Sequence, residues 1–179
     1  MTMLLSEFLK KNKPLSTKKG SFTKAYLYDD KVILSSVDSV KECMAHGWFP
    51  DSDLFPDVKF SALDVPDYDD SRVYESPRYI QARSLKSILD AENYALYMTL
   101  RDMWQSMTWD YKNAYNWQDD FHSAVNDASL SDSVKESLTE AYDALLSYSH
   151  KVRFEISPRN VAATKDGKLI LLDCFFIRN

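Results

Sequence analysis

The chain has few of the residues that bind transition metals or form disulfides, with only two cysteines and three histidines among its 179 residues. Cys43 and Cys174 lie in apolar surroundings. Neither cysteine has the spacing of a zinc ligand set with His46, His122 or His150. We therefore expect reduced, buried thiols and no zinc site.

Long apolar runs and an excess of basic side chains are missing as well. The apolar run in the N-terminal segment MTMLLSEFLKK is too short for a signal peptide or a membrane span. With 22 basic against 27 acidic side chains, the formal charge is −5. Non-specific nucleic-acid binding requires clustered lysine and arginine. We therefore expect a cytoplasmic protein that binds neither membrane nor nucleic acid directly.

The apolar content is sufficient for a folded protein. At 45% hydrophobic and 27% charged residues, the chain can form one domain with a core or a small two-lobed unit, and we expect it to be folded rather than disordered. Its acidic residues are concentrated in one proline-marked segment. This acidic segment contains Asp51, Asp53, Asp57, Asp64, Asp67, Asp69 and Asp70. It is interpreted either as a solvated loop or as a surface that mimics nucleic-acid charge and docks on a basic protein.

The first half of the chain is predicted to be rich in strands. Residues 4–11 have the apolar spacing of a short helix, and residues 18–36 read as two or three antiparallel strands around an Asp29-Asp30 turn. Residues 37–48 fit a helix that is capped by Asp38 or Ser39 and ended by Gly47. Residues 72–80 read as an edge strand that Pro77 interrupts.

The second half is predicted to be mostly helical. Residues 84–104, with Ser84 as the N-cap, and residues 132–148 carry helical apolar stripes. The aromatic segment between them, residues 108–126, is either a packed helix connection or a binding platform. A hairpin closed by Asp166-Gly167 follows. The pattern predicts an α+β protein with a β-rich domain at residues 1–80 and a helical domain with the hairpin at residues 81–179.

The segment at residues 152–176 carries the side chains of greatest chemical interest. Glu155 is followed by Asn160, and Asp173 comes directly after an apolar strand. Asn160 and Asp173 have oxygen ligands of the kind that Mg²⁺ prefers, and Glu155 can orient a hydroxyl or accept its proton. Phosphoryl transfer needs these functions, since it depends on positioning and on charge neutralisation.

This order resembles the catalytic loop and magnesium-binding strand of protein kinases. Glu155 stands where the family has its catalytic aspartate, Asn160 stands at the metal-binding asparagine, and Asp173 stands at the aspartate of the D-F-G signature. The chain looks most like the small, divergent serine/threonine kinases that short-tailed bacteriophages make early in infection. The resemblance implies a truncated kinase-like fold with a small antiparallel-sheet lobe and a helical lobe, located in a host cytoplasm.

The resemblance also implies ATP and Mg²⁺ as cofactors. Asn160 and Asp173 would then be the metal ligands. The candidate residues for the nucleotide phosphates are Gly20, Lys24, Lys31 and Glu42. Glu42 is included because active kinases pair the phosphate-binding lysine with a glutamate on the following helix.

Several positions depart from the family pattern. Only Gly20 represents the glycine-rich phosphate loop, and Ser35 occupies the expected place of the lysine. The D-F-G signature becomes Asp173-Cys174-Phe175, and the histidine of the catalytic loop is missing. These departures favour a degenerate kinase-like protein that binds and modulates a host protein.

Two other functions remain open. The first is an active, Mg-ATP-dependent serine/threonine kinase that uses Glu155, Asn160 and Asp173. The second is an acidic decoy that occupies a nucleic-acid site on a basic host enzyme, which would use the acidic segment alone.

Overall fold

The structure, a computed structural model, describes residues 2–109 and 112–178. Within them the chain is an α+β protein with a five-stranded antiparallel sheet and five α-helices, as the sequence pattern predicts. Its internal contacts define a first unit, Met1–Gly47 with Asp57–Arg78, and a second unit, Trp48–Pro56 with Tyr79–Asn179. The domain boundary expected after residue 80 stays a prediction. No helix in the described ranges has the length and apolarity to cross a membrane.

The first unit contains the sheet and two short helices. Its elements in chain order are β1 (Met3–Leu4), α1 (Leu5–Lys11), β2 (Ser16–Lys19), β3 (Thr23–Leu27), β4 (Lys31–Ser36), α2 (Ser39–Ala45), β5 (Lys59–Phe60), β6 (Leu63–Asp64) and β7 (Arg72–Pro77). The helix expected at residues 4–11 and the strands expected at residues 18–36 are present.

The sheet has the strand order β2-β3-β4-β7-β5. The prediction that residues 72–80 form an edge strand is therefore wrong. Strand β7 pairs with β4 over all six of its residues and with β5 at Glu75 and Tyr74. Pro77 is tolerated because it is the last residue of β7, where few ladder bonds remain to be formed.

Helix α1 contributes Leu5 to a core against one face of the sheet, where it meets Tyr26, Ile33 and Val73. Helix α2 begins as predicted, because the Asp38 side chain accepts a hydrogen bond from the Val40 amide at 2.9 Å.

Among its described residues, the second unit contains three longer helices and four short strands. Its elements are α3 (Ala91–Ser106), α4 (Trp117–Asp127), α5 (Asp132–Leu145), β8 (Val152–Phe154), β9 (Val161–Ala163), β10 (Leu169–Leu171) and β11 (Phe175–Ile177), with 3-10 turns at Leu85–Ser87, Ala114–Asn116 and Pro158–Asn160.

The helix prediction for residues 84–104 needs correction. The helix expected from Ser84 begins at Ala91, because Asp90 is the N-cap and accepts from the Asn93 amide at 2.7 Å. Ser84 precedes a separate 3-10 turn and its side chain makes no cap hydrogen bond.

The aromatic segment contains a helix, α4, that was not predicted as a separate element. Trp117 and Phe121 are buried on it, which agrees with a packed connection at these two positions. Tyr115, in contrast, is exposed. Tyr111, which also belongs to this segment, lies outside the described residues.

The strands of the second unit form two antiparallel pairs. Strand β8 pairs with β11, and β9 pairs with β10 through the Gly167 turn, where φ is 84°. Phe121 stacks on Tyr142 with ring centroids 4.2 Å apart, and Phe154 and Phe175 pack at 5.4 Å. These rings form a core beneath the loop that follows β8.

Candidate functional site

The candidate site begins where β8 leaves this aromatic core. Val152 and Phe154 are fully buried, and the Tyr142 hydroxyl donates a hydrogen bond to the Val152 carbonyl at 2.9 Å. Burial of the ring raises the pKa of Tyr142 well above its usual value, so the hydroxyl stays a donor. Glu155 is the first residue after this anchored strand.

Glu155 is held in place by its main chain. Its amide donates to the Cys174 carbonyl at 2.8 Å, which places Glu155 beside the residue that follows Asp173. The Glu155 carboxylate lies 3.7 Å from a guanidinium nitrogen of Arg159, whose side chain is 82% exposed. Because solvent screens the charge of this exposed arginine, the pair contributes about 0–1 kcal/mol and orients the Glu155 carboxylate only weakly.

Asn160 ends the 3-10 turn that follows. Its amide donates to the Ser157 carbonyl at 2.9 Å. Its own carbonyl accepts from the Leu172 amide at 2.9 Å and from the Asp173 amide at 3.2 Å. The main chain therefore joins the Asn160 turn to the segment that carries Asp173.

Asp173 follows the β9–β10 hairpin and is exposed. The hairpin is attached to the start of α3. The Asp90 amide donates to the Gly167 carbonyl at 3.0 Å, and the Leu169 amide donates to the Asn93 side-chain oxygen at 2.9 Å. These bonds place the strand before Asp173 against a fixed helix.

Backbone hydrogen bonds thus link the segments of the second unit that carry Glu155, Asn160 and Asp173. Two of them, Asn160 and Asp173, supply oxygen donors that suit Mg²⁺, whose remaining positions are ordinarily filled by water and phosphate. The chemistry of these two donors, an amide oxygen and a carboxylate, therefore suits the expected ion. Among the described residues, no group of three or more His, Cys, Asp and Glu side chains is placed to hold a metal.

The candidates in the first unit do not form the expected lysine–glutamate pair. The Lys31 ammonium lies 3.3 Å from a Glu75 carboxylate oxygen on β7, and Lys24 lies 5.2 Å above the Tyr26 ring. Glu42 lies 3.5 Å from a guanidinium nitrogen of Arg72. Within the described residues, no ion pair joins Lys24 or Lys31 to Glu42.

Gly20 and Ser35 have local roles in the sheet. The Gly20 amide donates to the Thr23 carbonyl at 2.8 Å in the β2–β3 turn, and a Cβ at Gly20 would meet only that carbonyl oxygen, at 3.5 Å. The Ser35 hydroxyl, at the position expected for the lysine, is 2.9 Å from the Ser71 hydroxyl. Neither position presents a positive charge.

The aspartates of the acidic segment are all exposed. Asp57 pairs with Lys59 at 3.0 Å, and the Asp69 carboxylate accepts from the Ser71 amide at 2.9 Å. The hydrogen bonds from Ser71, through its side chain and its amide, lower the pKa of Asp69. Part of the segment therefore serves local turn geometry, as the solvated-loop interpretation expects.

Sequence reasoning missed two features of residues 155–160. Arg159 pairs with Glu155 four residues earlier, a spacing that is visible in the sequence. The Ser157 hydroxyl oxygen is buried and has no hydrogen-bond partner among the described residues. No sequence pattern indicates that second feature, because it depends on how the loop packs.

Comparison with known proteins does not assign a family. A scan of the chain against protein-family models finds no match, and a search of curated proteins finds none either. The resemblance to kinases therefore rests on Glu155, Asn160, Asp173 and the strands around them.

Proposed function

We propose that the chain is a kinase-like protein that binds and modulates a host protein and has lost efficient phosphoryl transfer. The observation that carries the proposal is the pairing of Lys31 with Glu75 and of Glu42 with Arg72. An active kinase joins its phosphate-binding lysine to the glutamate of the following helix. Here each candidate for that pair has another partner.

The glutamate at position 155, where the kinase family has an aspartate, supports the same conclusion independently. A glutamate at position 155 places its carboxylate one methylene farther from the main chain than an aspartate does. A displacement of about 1 Å at a reacting group costs roughly 10²-fold in rate. The kinase-like order of Glu155, Asn160 and Asp173 is thus combined with a weakened catalytic group.

Exposed aromatic side chains of the second unit support a role in binding a protein. Trp48 is 53% exposed and packs on Tyr148 with ring centroids 6.0 Å apart. Tyr115 is 78% exposed and stacks on His150 at 4.5 Å. Exposed tryptophan and tyrosine are the side chains that most often dominate protein–protein binding energy.

Calorimetric titration with ATP and Mg²⁺, followed by incubation with radiolabelled ATP and host lysate, tests the loss of phosphoryl transfer. We expect weak nucleotide binding and no labelled protein. Labelling that disappears in Asp173→Ala and persists in Asp127→Ala, a matched change at an exposed aspartate at the end of α4, would contradict the proposal.

Partner binding has its own test. Immobilised protein should retain a host protein, and Trp48→Ala and Tyr115→Ala should weaken that retention relative to Tyr68→Ala, which removes another exposed ring. If the immobilised wild-type chain retains no host protein, the proposed binding role is wrong.

A second candidate function is an active serine/threonine kinase. It is favoured by the bonds from the Leu172 and Asp173 amides to the Asn160 carbonyl, which keep two magnesium-type ligands on adjoining segments. The Lys31–Glu75 pair is only partly buried, with 40% and 35% of the two side chains exposed, so nucleotide binding can exchange it for a phosphate contact. This candidate predicts labelling that both Asp173→Ala and Glu155→Ala abolish.

A further inference from the structure

Positive charge is concentrated in one stretch of the first unit. Residues 8–28, called here the basic segment, contain no acidic residue. The rest of the chain holds 16 of the 22 basic and all 27 acidic side chains, which gives it a formal charge of −11. All six lysines of the basic segment are exposed: Lys10, Lys11, Lys13, Lys18, Lys19 and Lys24.

Part of this charge has an ordinary structural reason. Lys10 and Lys11 lie in the last turn of α1, where cations interact favourably with the helix dipole. Lys19 and Lys24 are different, because they are directly opposite each other on β2 and β3. Like charges in that position destabilise a sheet, and no carboxylate of the described residues forms an ion pair with either lysine.

The backbone of β2 has a free side. Strand β2 is at the edge of the sheet, and all four of its residues are exposed. Gly20 is hydrogen-bonded to Thr23, so the next pair, Lys19 with Lys24, is a non-hydrogen-bonded pair of the antiparallel ladder. The same alternation applies to Thr17. The amides and carbonyls of Thr17 and Lys19 therefore point away from β3.

Lysine on an edge strand often serves to prevent association between sheets. A single lysine is sufficient for that purpose, whereas the facing pair of Lys19 and Lys24 adds repulsion within the hairpin. The repulsion is relieved when carboxylates approach both ammonium groups. Exposed apolar side chains flank the strand, with Leu15 at 62% and Phe22 at 58% exposure.

We propose that the edge of β2 binds an extended, acidic segment of a partner protein as an additional strand. The outward amides and carbonyls of Thr17 and Lys19 pair with the partner's backbone, and its carboxylates lie against Lys19 and Lys24. A nucleic acid has no backbone that pairs with a sheet edge, and its long negative strand is repelled by the charge of −11 on the remaining residues. The inference rests on the proposed role as a binding protein and names the chemistry of one partner.

The test uses the full-length chain and a labelled short peptide of alternating glutamate and valine, with binding followed by fluorescence anisotropy. A thymidine oligonucleotide and vesicles containing phosphatidylserine are the competing probes. We expect the peptide to bind, to bind less tightly as salt increases, and to bind more tightly than either competing probe.

Two kinds of variant separate charge from backbone pairing. The double change K19E/K24E should weaken peptide binding at least about tenfold, whereas K86E/K165E, at exposed lysines of the second unit, should leave it within about twofold. Thr17→Pro removes an outward amide without removing a bond to β3, so it should also weaken binding while Thr17→Ala does not.

Equal peptide affinity of K19E/K24E and K86E/K165E would overturn the proposal, as would tighter binding of the oligonucleotide or the vesicles. Phosphoryl transfer is measured separately on the same samples. Suppose that the wild-type chain transfers phosphate and that K19E/K24E no longer binds the peptide. The proposed loss of catalysis is then wrong, and the proposed docking surface is supported. If no peptide binds and no phosphate is transferred, only the docking surface fails.

Discussion

The main-chain carbonyl of Asn160 accepts a hydrogen bond from the Asp173 amide at 3.2 Å. The two residues that the resemblance assigns to magnesium are thus connected by backbone atoms, and their side chains are not needed for the link. This arrangement separates the fold of the site from its chemistry, because a side chain can be removed while the backbone bond remains.

Replacing Asn160 with alanine should therefore leave stability within about 0.5 kcal/mol of the wild type. The backbone carbonyl persists, so the bonds to Leu172 and Asp173 are kept. Metal binding should decrease, because the amide oxygen is lost. Metal binding is measured by the paramagnetic broadening that Mn²⁺ causes in the NMR signals of the hairpin amides. This broadening should be weaker in Asn160→Ala and Asp173→Ala than in the wild type, and unchanged in Asp127→Ala. Broadening that is unchanged in Asn160→Ala would remove that side chain from the metal site.

Removal of the Tyr142 hydroxyl should destabilise the base of the candidate loop. Tyr142→Phe leaves the buried Val152 carbonyl without its side-chain donor, at a cost of about 1–3 kcal/mol. Urea denaturation measures the loss. Tyr115→Phe is the matched control, since Tyr115 is 78% exposed and should change stability little. Equal effects of the two substitutions would contradict the anchoring role of Tyr142.

Two glycines should respond differently to alanine. Gly167 has φ of 84°, and a Cβ there would lie 2.8 Å from the Asp90 amide nitrogen. We expect Gly167→Ala to cost about 1–3 kcal/mol. A Cβ at Gly20 would lie 3.5 Å from the Thr23 carbonyl oxygen, an ordinary van der Waals contact, so Gly20→Ala should be tolerated. Thermal unfolding of both variants gives the comparison, and a larger loss in Gly20→Ala would be inconsistent with this geometry.

The contact between α3 and the hairpin should weaken in acid. Hydrogen bonds from the Asn93 backbone, and then from its side chain, lower the pKa of Asp90. A lowered pKa in the folded state stabilises the fold above the ordinary carboxyl value of about 3.9, and this contribution is lost as the pH falls through the folded-state value.

Asp90→Asn keeps a capping side chain but does not titrate. Its stability should therefore depend less on pH below about pH 4 than that of the wild type. Denaturation at a series of pH values tests this, with Asp127→Asn as the control. Parallel stability curves for Asp90→Asn and the wild type would exclude a role for Asp90.

The two thiols should be unreactive in the native protein. Cys43 and Cys174 are buried thiols that form no disulfide, as expected from their surroundings, and burial raises the pKa of Cys43 to about 11. Because the thiolate is the reactive form, reaction with Ellman's reagent at pH 8 should be slow until denaturant is added. Rapid release of two equivalents of the thionitrobenzoate anion per chain, without denaturant, would contradict this prediction, because it would show that both thiols are accessible.

Much of the local structure could be predicted from the sequence. The Asp38 cap, the Asp166-Gly167 turn and the strands at residues 18–36 each depend on neighbours in the chain, so short patterns reveal them. The sequence pattern predicts too early a start for α3, because Ser84 and Asp90 are both good caps. The choice depends on the turn between them and on the hairpin that bonds to Asp90.

The candidate site was predictable in part for the same reason. The order of Glu155, Asn160 and Asp173 is a sequence feature, while the bonds from Glu155 to Cys174 and from Asp173 to Asn160 are not. Those bonds depend on the β9–β10 hairpin folding back, which brings residues 160 and 172–173 into contact.

The sequence by itself determined the α+β class, the helix at residues 4–11, the strands at residues 18–36 and the concentration of lysine at residues 8–28, because these are properties of neighbouring residues. The tertiary structure decided that β7 is an inner strand and β2 an edge, and that Lys31 pairs with Glu75 and Glu42 with Arg72. Strand order and register determine which residues that are far apart in the chain come into contact, and no local sequence pattern predicts these contacts.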